Sequence, residues 1–239
     1  MTKLGLPKIG ITMGDPTGIG PEIIVKVLSD KSTFLFCRPV VVGDRTAIER
    51  AIKLLNAPLK VHEVGKVEEE EFRDATLNLL ALSDLRANEI EYGSPTKSCG
   101  KAMVRYIEEA VKLVSDGRID AITTAPINKK ALSDAGYSYP GHTELLAKLT
   151  GTREYVMMLA GDKLKVALVT IHCSLKDVFH LLTTEKIVAA IRITHDALQN
   201  FFGEEKPKIA VAALNPHAGE GGLFGKEETE VILPAIKQA

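Results

Sequence analysis

The residues best equipped for chemistry in this sequence are three histidines, each set among glycines, prolines or hydroxyls. Leu214-Asn215-Pro216-His217-Ala218-Gly219-Glu220-Gly221-Gly222 places one imidazole and one carboxylate in a segment with three glycines, so backbone can approach a ligand closely there. A second imidazole stands in Ile171-His172-Cys173-Ser174 and a third in Pro140-Gly141-His142-Thr143-Glu144. Neutral imidazoles on rigid elements, with a coordination position left open, are what a catalytic divalent metal needs. No close pair such as H-x-x-x-H occurs, so spacing alone leaves open whether the three share an ion or are incidental loop residues. Lys129, in Ala125-Pro126-Ile127-Asn128-Lys129-Lys130, follows a strand-like run and is a candidate proton carrier or anion partner if partly desolvated. A surface lysine is the plain alternative.

The elements that must position these groups follow from periodicity. Ile209–Ala213 and Leu164–Thr170 are apolar runs of strand length, and they deliver His217 and His172 at their carboxyl ends. Earlier, residues 7–13 read as a first strand. It runs into Gly14-Asp15-Pro16-Thr17-Gly18-Ile19-Gly20-Pro21-Glu22 and then an apolar-periodic helix. Pro21 suits a first helical turn, and Glu22 suits the positive end of the helix dipole. Such a turn is a place for an anion or a cofactor, with Asp15, Gly18 and Gly20 closest; it also serves as a tight structural turn. The G-x-G-x-x-G fingerprint is not met, because Ile23 stands where the third glycine belongs.

Further strands are expected at 38–43, 59–64, 76–82 and 121–124, with helices at 46–55 and 94–117. The acid run Glu68–Glu71 reads as a solvated helix start. Residues 155–160 and 164–170 suit a hairpin across Gly161-Asp162. Helices are expected at 184–202, with His195 on its face, and at 226–238. His195, His180 and His62 carry no functional signal. Strands alternating with helices predict an α/β protein with mostly parallel sheets. A pause at Pro126 divides it into domains 1–126 and 127–239.

Composition excludes several classes. The 239 residues carry a net charge of −1 and no basic stripe with interleaved aromatics, which argues against a nucleic-acid partner. Three scattered cysteines without C-x-x-C spacing suit a reducing compartment. No signal peptide opens the chain and no apolar run reaches spanning length, so a cytoplasmic protein without membrane contact is expected.

Taken together and in order, the Asp15 turn, Thr124-Ala125-Pro126 with Lys129, the His142 motif, His172 and the His217 segment resemble the 4-hydroxythreonine-4-phosphate dehydrogenase family of pyridoxal phosphate biosynthesis. The resemblance implies two α/β domains around a cleft, similar to isocitrate and isopropylmalate dehydrogenase-like folds, in a homodimer whose active site is completed across the subunit interface. It implies NAD- or NADP-linked oxidation of 4-hydroxythreonine 4-phosphate to a 3-keto acid that loses carbon dioxide. It also implies a divalent metal (zinc, magnesium or cobalt) held by three histidines, two of which map onto His172 and His217. On this mapping His142 and Thr143 bind substrate, although Thr143 also suits a helix N-cap. The same chemistry on a threonate or erythronate phosphate is the nearest alternative, and an inactive binding protein is another. Family members run on past the point where this chain stops. The remainder would carry the third metal histidine, so a fragment or shortened member, less stable and inactive alone, is expected.

Overall fold

The computed structural model describes residues 5–73, 75–139 and 141–239. The chain forms two compact units, Met1–Gly151 and Thr152–Ala239. In the first, β1 (Lys8–Thr12), β2 (Arg38–Asp44), β3 (Lys60–Glu63), β4 (Thr76–Ser83) and β5 (Ala121–Thr124) make one sheet of order β3-β4-β2-β1-β5. Every pairing in it is parallel. Its central strand β2 carries Val40, Val41 and Val42 with no exposure at all, as expected when helices cover both faces. Val40 packs with Leu80, Leu113 and Ile119, while Val41 and Val42 join the main core of Met13, Ile24, Leu28, Ile48 and Tyr106.

Helices α1 (Gly20–Ser29), α2 (Arg45–Leu54) and α3 (Lys97–Ser115) supply Ile24 and Leu28, Ile48, and Tyr106 and Leu113 of these partners. Asp44, buried at the end of β2, accepts from Ala47 N and caps α2. The same carboxylate accepts from Ser83 Oγ and Leu85 N, which ties the ends of β2 and β4 together. Thr96 caps α3, and Gly117 leaves it at a φ of 68°. The pause at Pro126 lies inside this unit: α4 (Lys129–Asp134) sits against α3 so closely that a Cβ on Gly100 would collide with the Ala131 backbone. Leu145 of α5 (His142–Leu149) buries against Ile107 and Val111 of α3.

The acid run departs from its expected solvated helix start. Only Val67–Glu69 turns, as a single 3-10 turn. Glu70 is buried between Lys8 Nζ and Arg38 Nη2, both at 2.8 Å, and Glu68 takes a two-pronged hydrogen bond from Arg118. That pairing pushes the Glu68 carboxyl down to about 2. Buried carboxylates require such partners, and run composition alone does not reveal them.

In the second unit β6 (Met157–Ala160) and β7 (Lys165–Leu168) form the expected hairpin, paired antiparallel. Helices α6 (Leu175–Leu181), α7 (Thr184–Asn200) and α8 (Leu233–Gln238) follow, the last preceded by a π turn at Glu228–Ile232. Ile187 and Val188 of α7 bury against Ile232 and Ala235. The strand expected at Ile209–Ala213 is not formed: no ladder pairs it among the described residues, and Ala210, Ala212 and Ala213 are exposed. A strand is defined by its neighbour, and an alanine-rich run has little side chain with which to hold one. No helix among the described residues is long and apolar enough to cross a membrane.

The α3–α4 contact yields a direct test. Gly100→Ala is expected to destabilise the protein by about 1–3 kcal/mol through overpacking, outweighing the roughly 1 kcal/mol by which alanine favours a helix. Urea unfolding measures it, and a neutral or stabilised variant would refute the packing described.

Candidate functional site

In a parallel sheet the carboxyl ends of the strands face one way, and ligands gather there. Neighbouring strands β1 and β5 bring the Asp15 turn beside the Pro126 loop: Asp15 N donates to Pro126 O at 2.9 Å. Gly14 has a φ of 72°, and a Cβ there would strike the Pro126 and Ala125 carbonyl groups. A Cβ on Gly20 would strike the Met13 carbonyl oxygen. Both glycines are thus fixed by close backbone approach. Asp15 is buried and uses Oδ1 to accept from Thr17 N and Thr17 Oγ1, at 2.9 and 2.8 Å. Arg50 reaches over to donate to Pro16 O and to Ile90 O while stacking on Tyr92, and Gly93 N donates to Thr17 O. The turn is therefore held rigid from several sides. Gly18 is half-buried and Ile19 exposed, so the backbone at 18–19 is the accessible part of the turn.

Lys129 opens α4 beside this turn, behind the Asn128 cap, and is exposed; the partial desolvation envisaged for it is not present in this chain. His142 is the first residue of α5 and Thr143 the second; Pro140 of their motif lies outside the described residues. The cap position belongs to Gly141, so Thr143 does not serve as the N-cap. Burial holds the His142 imidazole below its ordinary pKa, and its buried Nε2 has no hydrogen-bond partner among the described residues. An unpaired buried nitrogen is costly unless something else meets it.

The second unit holds His172 and His217, both exposed and both with left-handed backbone, at φ 51° and 52°. Neither ends a strand: β7 stops at Leu168, and the segment before His217 is unpaired. The expected strand-end setting is replaced by backbone strain. His217, Ala218, Gly219, Glu220 and Gly221 form five consecutive left-handed residues, between φ 47° and 78°. Three of them have side chains, a conformation that non-glycine residues adopt singly if at all. Such outliers persist only where the surroundings enforce them, and they cluster at functional sites.

The surroundings here are two acidic residues just past the loop. Glu228, buried, accepts from Leu214 N at 2.9 Å and Asn215 N at 2.6 Å through Oε1, and from Asn215 Nδ2 at 3.0 Å through Oε2. Glu227 accepts from the same Asn215 Nδ2 at 2.7 Å. The Asn215 backbone, then its side chain, hold the Glu228 carboxyl below the usual range. By sequence both residues belong only to a helix start, and their adjacency to the glycine segment is the available signal.

Among the described residues, no three His, Cys, Asp or Glu side chains are grouped as a metal requires. His172 and His217 by themselves fall short of the three protein ligands of a catalytic zinc. The donors among the described residues do not by themselves fit a resident ion. A cavity of about 420 Å³ in the first unit lies elsewhere. Arg38, Leu59 and Ala75 line it at the starts of β2, β3 and β4, the end of the sheet opposite the Asp15 turn.

The His142 environment predicts a pH response. Its folded-state pKa lies below the unfolded value of 6.5, so between the two values the unfolded chain binds a proton that the folded chain refuses. Stability should therefore fall as pH drops from 6.5 toward the folded value. Titration of the His142 ring by NMR checks this, and a midpoint at or above 6.5 would contradict it.

A family model described as pyridoxal phosphate biosynthetic protein PdxA matches residues 35–239. A Trichlorobacter lovleyi protein named 4-hydroxythreonine-4-phosphate dehydrogenase is 50% identical over 234 residues, 98% of this chain and 70% of its own. A Cupriavidus necator protein named D-threonate 4-phosphate dehydrogenase is 46% identical over 97% of this chain and 69% of its own. The crystal structure of 4-hydroxythreonine-4-phosphate dehydrogenase from Klebsiella pneumoniae matches with a TM-score of 0.88 at 38% identity, over 99% of this chain and 71% of that one. The chain thus spans roughly 70% of the length of these relatives. With a parallel α/β sheet, a rigid glycine turn at its carboxyl edge and this identity along nearly its whole length, the chain belongs to the pyridoxal phosphate biosynthetic protein PdxA family.

Proposed function

We propose that this chain is a nicotinamide-dependent oxidoreductase. It oxidises the secondary alcohol of 4-hydroxythreonine 4-phosphate, in the route to pyridoxal phosphate. NAD or NADP, held at the Asp15–Gly20 turn, would supply the hydride acceptor for the carbinol carbon, and the hydroxyl proton would leave to a base. The resulting 3-keto acid loses carbon dioxide, and protonation of the enolate gives 3-amino-2-oxopropyl phosphate. The observation that carries this reading is the 50% identity, over 98% of the chain, to a dehydrogenase of that name.

The residues divide the work by chemical type. His142, its pKa lowered by burial and its Nε2 without a partner among the described residues, offers a hydrogen bond to a substrate oxygen, and Thr143 adds a hydroxyl beside it. The Asp15–Gly20 turn, with Gly18 and Gly20, supplies backbone to the cofactor, and Lys129 an ammonium to an anionic group or a proton in transit. His172 and His217 are the two imidazoles this chain would offer to a divalent ion, with further donors needed to complete the set. The protein would act as a homodimer, in keeping with an α6 that buries none of its residues. The three free cysteines suit the cytoplasm.

A second reading is favoured by the 46% identity to a D-threonate 4-phosphate dehydrogenase. That substrate has a hydroxyl where 4-hydroxythreonine phosphate has an amino group. Buried polar partners strongly reject an analogue that leaves them unpaired. NADH formation measured with each acid, with divalent metal supplied, separates the two. The amino acid is expected to give the higher kcat/KM, and His217→Ala to lower its turnover about a hundredfold or more while the protein stays folded. Preference for threonate phosphate would establish the second reading; no NADH from either would refute both and fit the inactive short form that the resemblance implies.

A further inference from the structure

The left-handed segment that carries His217 is a 3-10 turn over Pro216–Gly222, flanked by hydrogen bonds from Ala218 N to Asn215 O, Phe224 N to Gly219 O and Leu223 N to Glu220 O. From outside that turn, Glu227 and Glu228 add polar anchors at its start. The Glu228 carboxylate reads the two backbone amides just before Pro216 and the Asn215 side chain at once. Glu227 takes the remaining direction of that side chain. Space closes around the same carboxylates. A Cβ on Gly219 would come within 2.8 Å of Glu228 Oε2, and one on Gly225 within 2.6 Å of Asn215 Nδ2. Glu228 is 6% exposed, whereas its partners Leu214 and Asn215 are exposed and half-buried.

We infer that Glu228 is a positioning residue for His217. Through Asn215 it fixes the start of the left-handed turn and so the direction in which the imidazole is presented, with Glu227 as a weaker second anchor. This rests on the dehydrogenase reading for its catalytic meaning, whereas the geometric role stands on the hydrogen bonds alone. The geometry also sets a graded expectation among variants. Glutamine at 228 keeps one carbonyl oxygen for the Leu214 and Asn215 amides but turns a donor toward Asn215 Nδ2. Alanine removes every acceptor and takes this partner from the Leu214 and Asn215 amides.

The test uses the 239-residue chain and its Glu228→Ala, Glu228→Gln and Glu227→Gln variants. Amide hydrogen exchange is expected to accelerate at 214–225 in Glu228→Ala while α7 keeps its protection, with Glu228→Gln intermediate and Glu227→Gln near the parent. In the NADH assay, Glu228→Ala should lower kcat/KM about tenfold to a hundredfold, as small misplacements do. It should raise KM for the phosphorylated acid and leave KM for the nicotinamide unchanged. A purely structural role would scale kcat with the folded fraction and leave every KM alone. Unchanged exchange at 214–225, or acceleration spread equally over α7, would overturn the inference. If the parent chain forms no NADH, that failure counts against the dehydrogenase reading, and the exchange result alone decides the role of Glu228.

Discussion

Three side-chain-bearing residues held in left-handed backbone at 217–220 are the constraint around which the second unit is built. At roughly 1–2 kcal/mol for each, the strain comes to about 3–6 kcal/mol, a large share of the roughly 5–15 kcal/mol that keeps a domain folded. Something nearby has to offset it. Glu228 accepts three hydrogen bonds at the start of the loop, and bonds to a charged acceptor are stronger than neutral ones, so this carboxylate opposes the strain. Behind that carboxylate, Ile232 and Ala235 bury against Ile187 and Val188 of α7, which anchors the segment Glu228 belongs to. Core packing, carboxylate and loop thus form one chain of dependence that ends at an exposed imidazole.

The first unit solves a similar problem with different means. Its glycine turn is shaped by backbone meeting backbone, at Gly14 against the Pro126 loop and at Gly20 against Met13, so side chains are excluded there by contact. Arg50 and the Asp15–Thr17 hydrogen bonds finish the clamp. The parallel sheet makes this possible, because adjacent strands β1 and β5 end together and their loops must touch. Rigid scaffold below and defined loops above is the arrangement expected of a site that works by position.

What was legible in the sequence follows from how local each cause is. Strand and helix alternation predicted the parallel sheet, and the hairpin at 157–168 followed from two apolar runs around Gly161-Asp162. The same apolar signal misled at Ile209–Ala213, because a strand exists only with a partner and the run does not name one. Thr143 suited a cap by type, yet the helix starts one residue earlier and Gly141 takes the position. Glu228 was invisible as a site residue for a related reason: its partners lie 13 and 14 residues back, across a loop whose conformation no periodicity encodes. Glu70 hid inside an acid run in the same way, since only the fold brings Lys8 and Arg38 to it.

The most direct measurement of the central constraint is the stability of Ala218→Gly, at an exposed position with φ 55°. Glycine relieves the roughly 1–2 kcal/mol left-handed penalty while adding about 0.4–1 kcal/mol of unfolded-state entropy. Equilibrium unfolding in urea should therefore show the variant unchanged or more stable, by up to about 1.6 kcal/mol. A loss of about 0.5–1 kcal/mol, the usual effect of glycine in ordinary helix or strand, would mean that the segment is not left-handed and that the account of His217 fails.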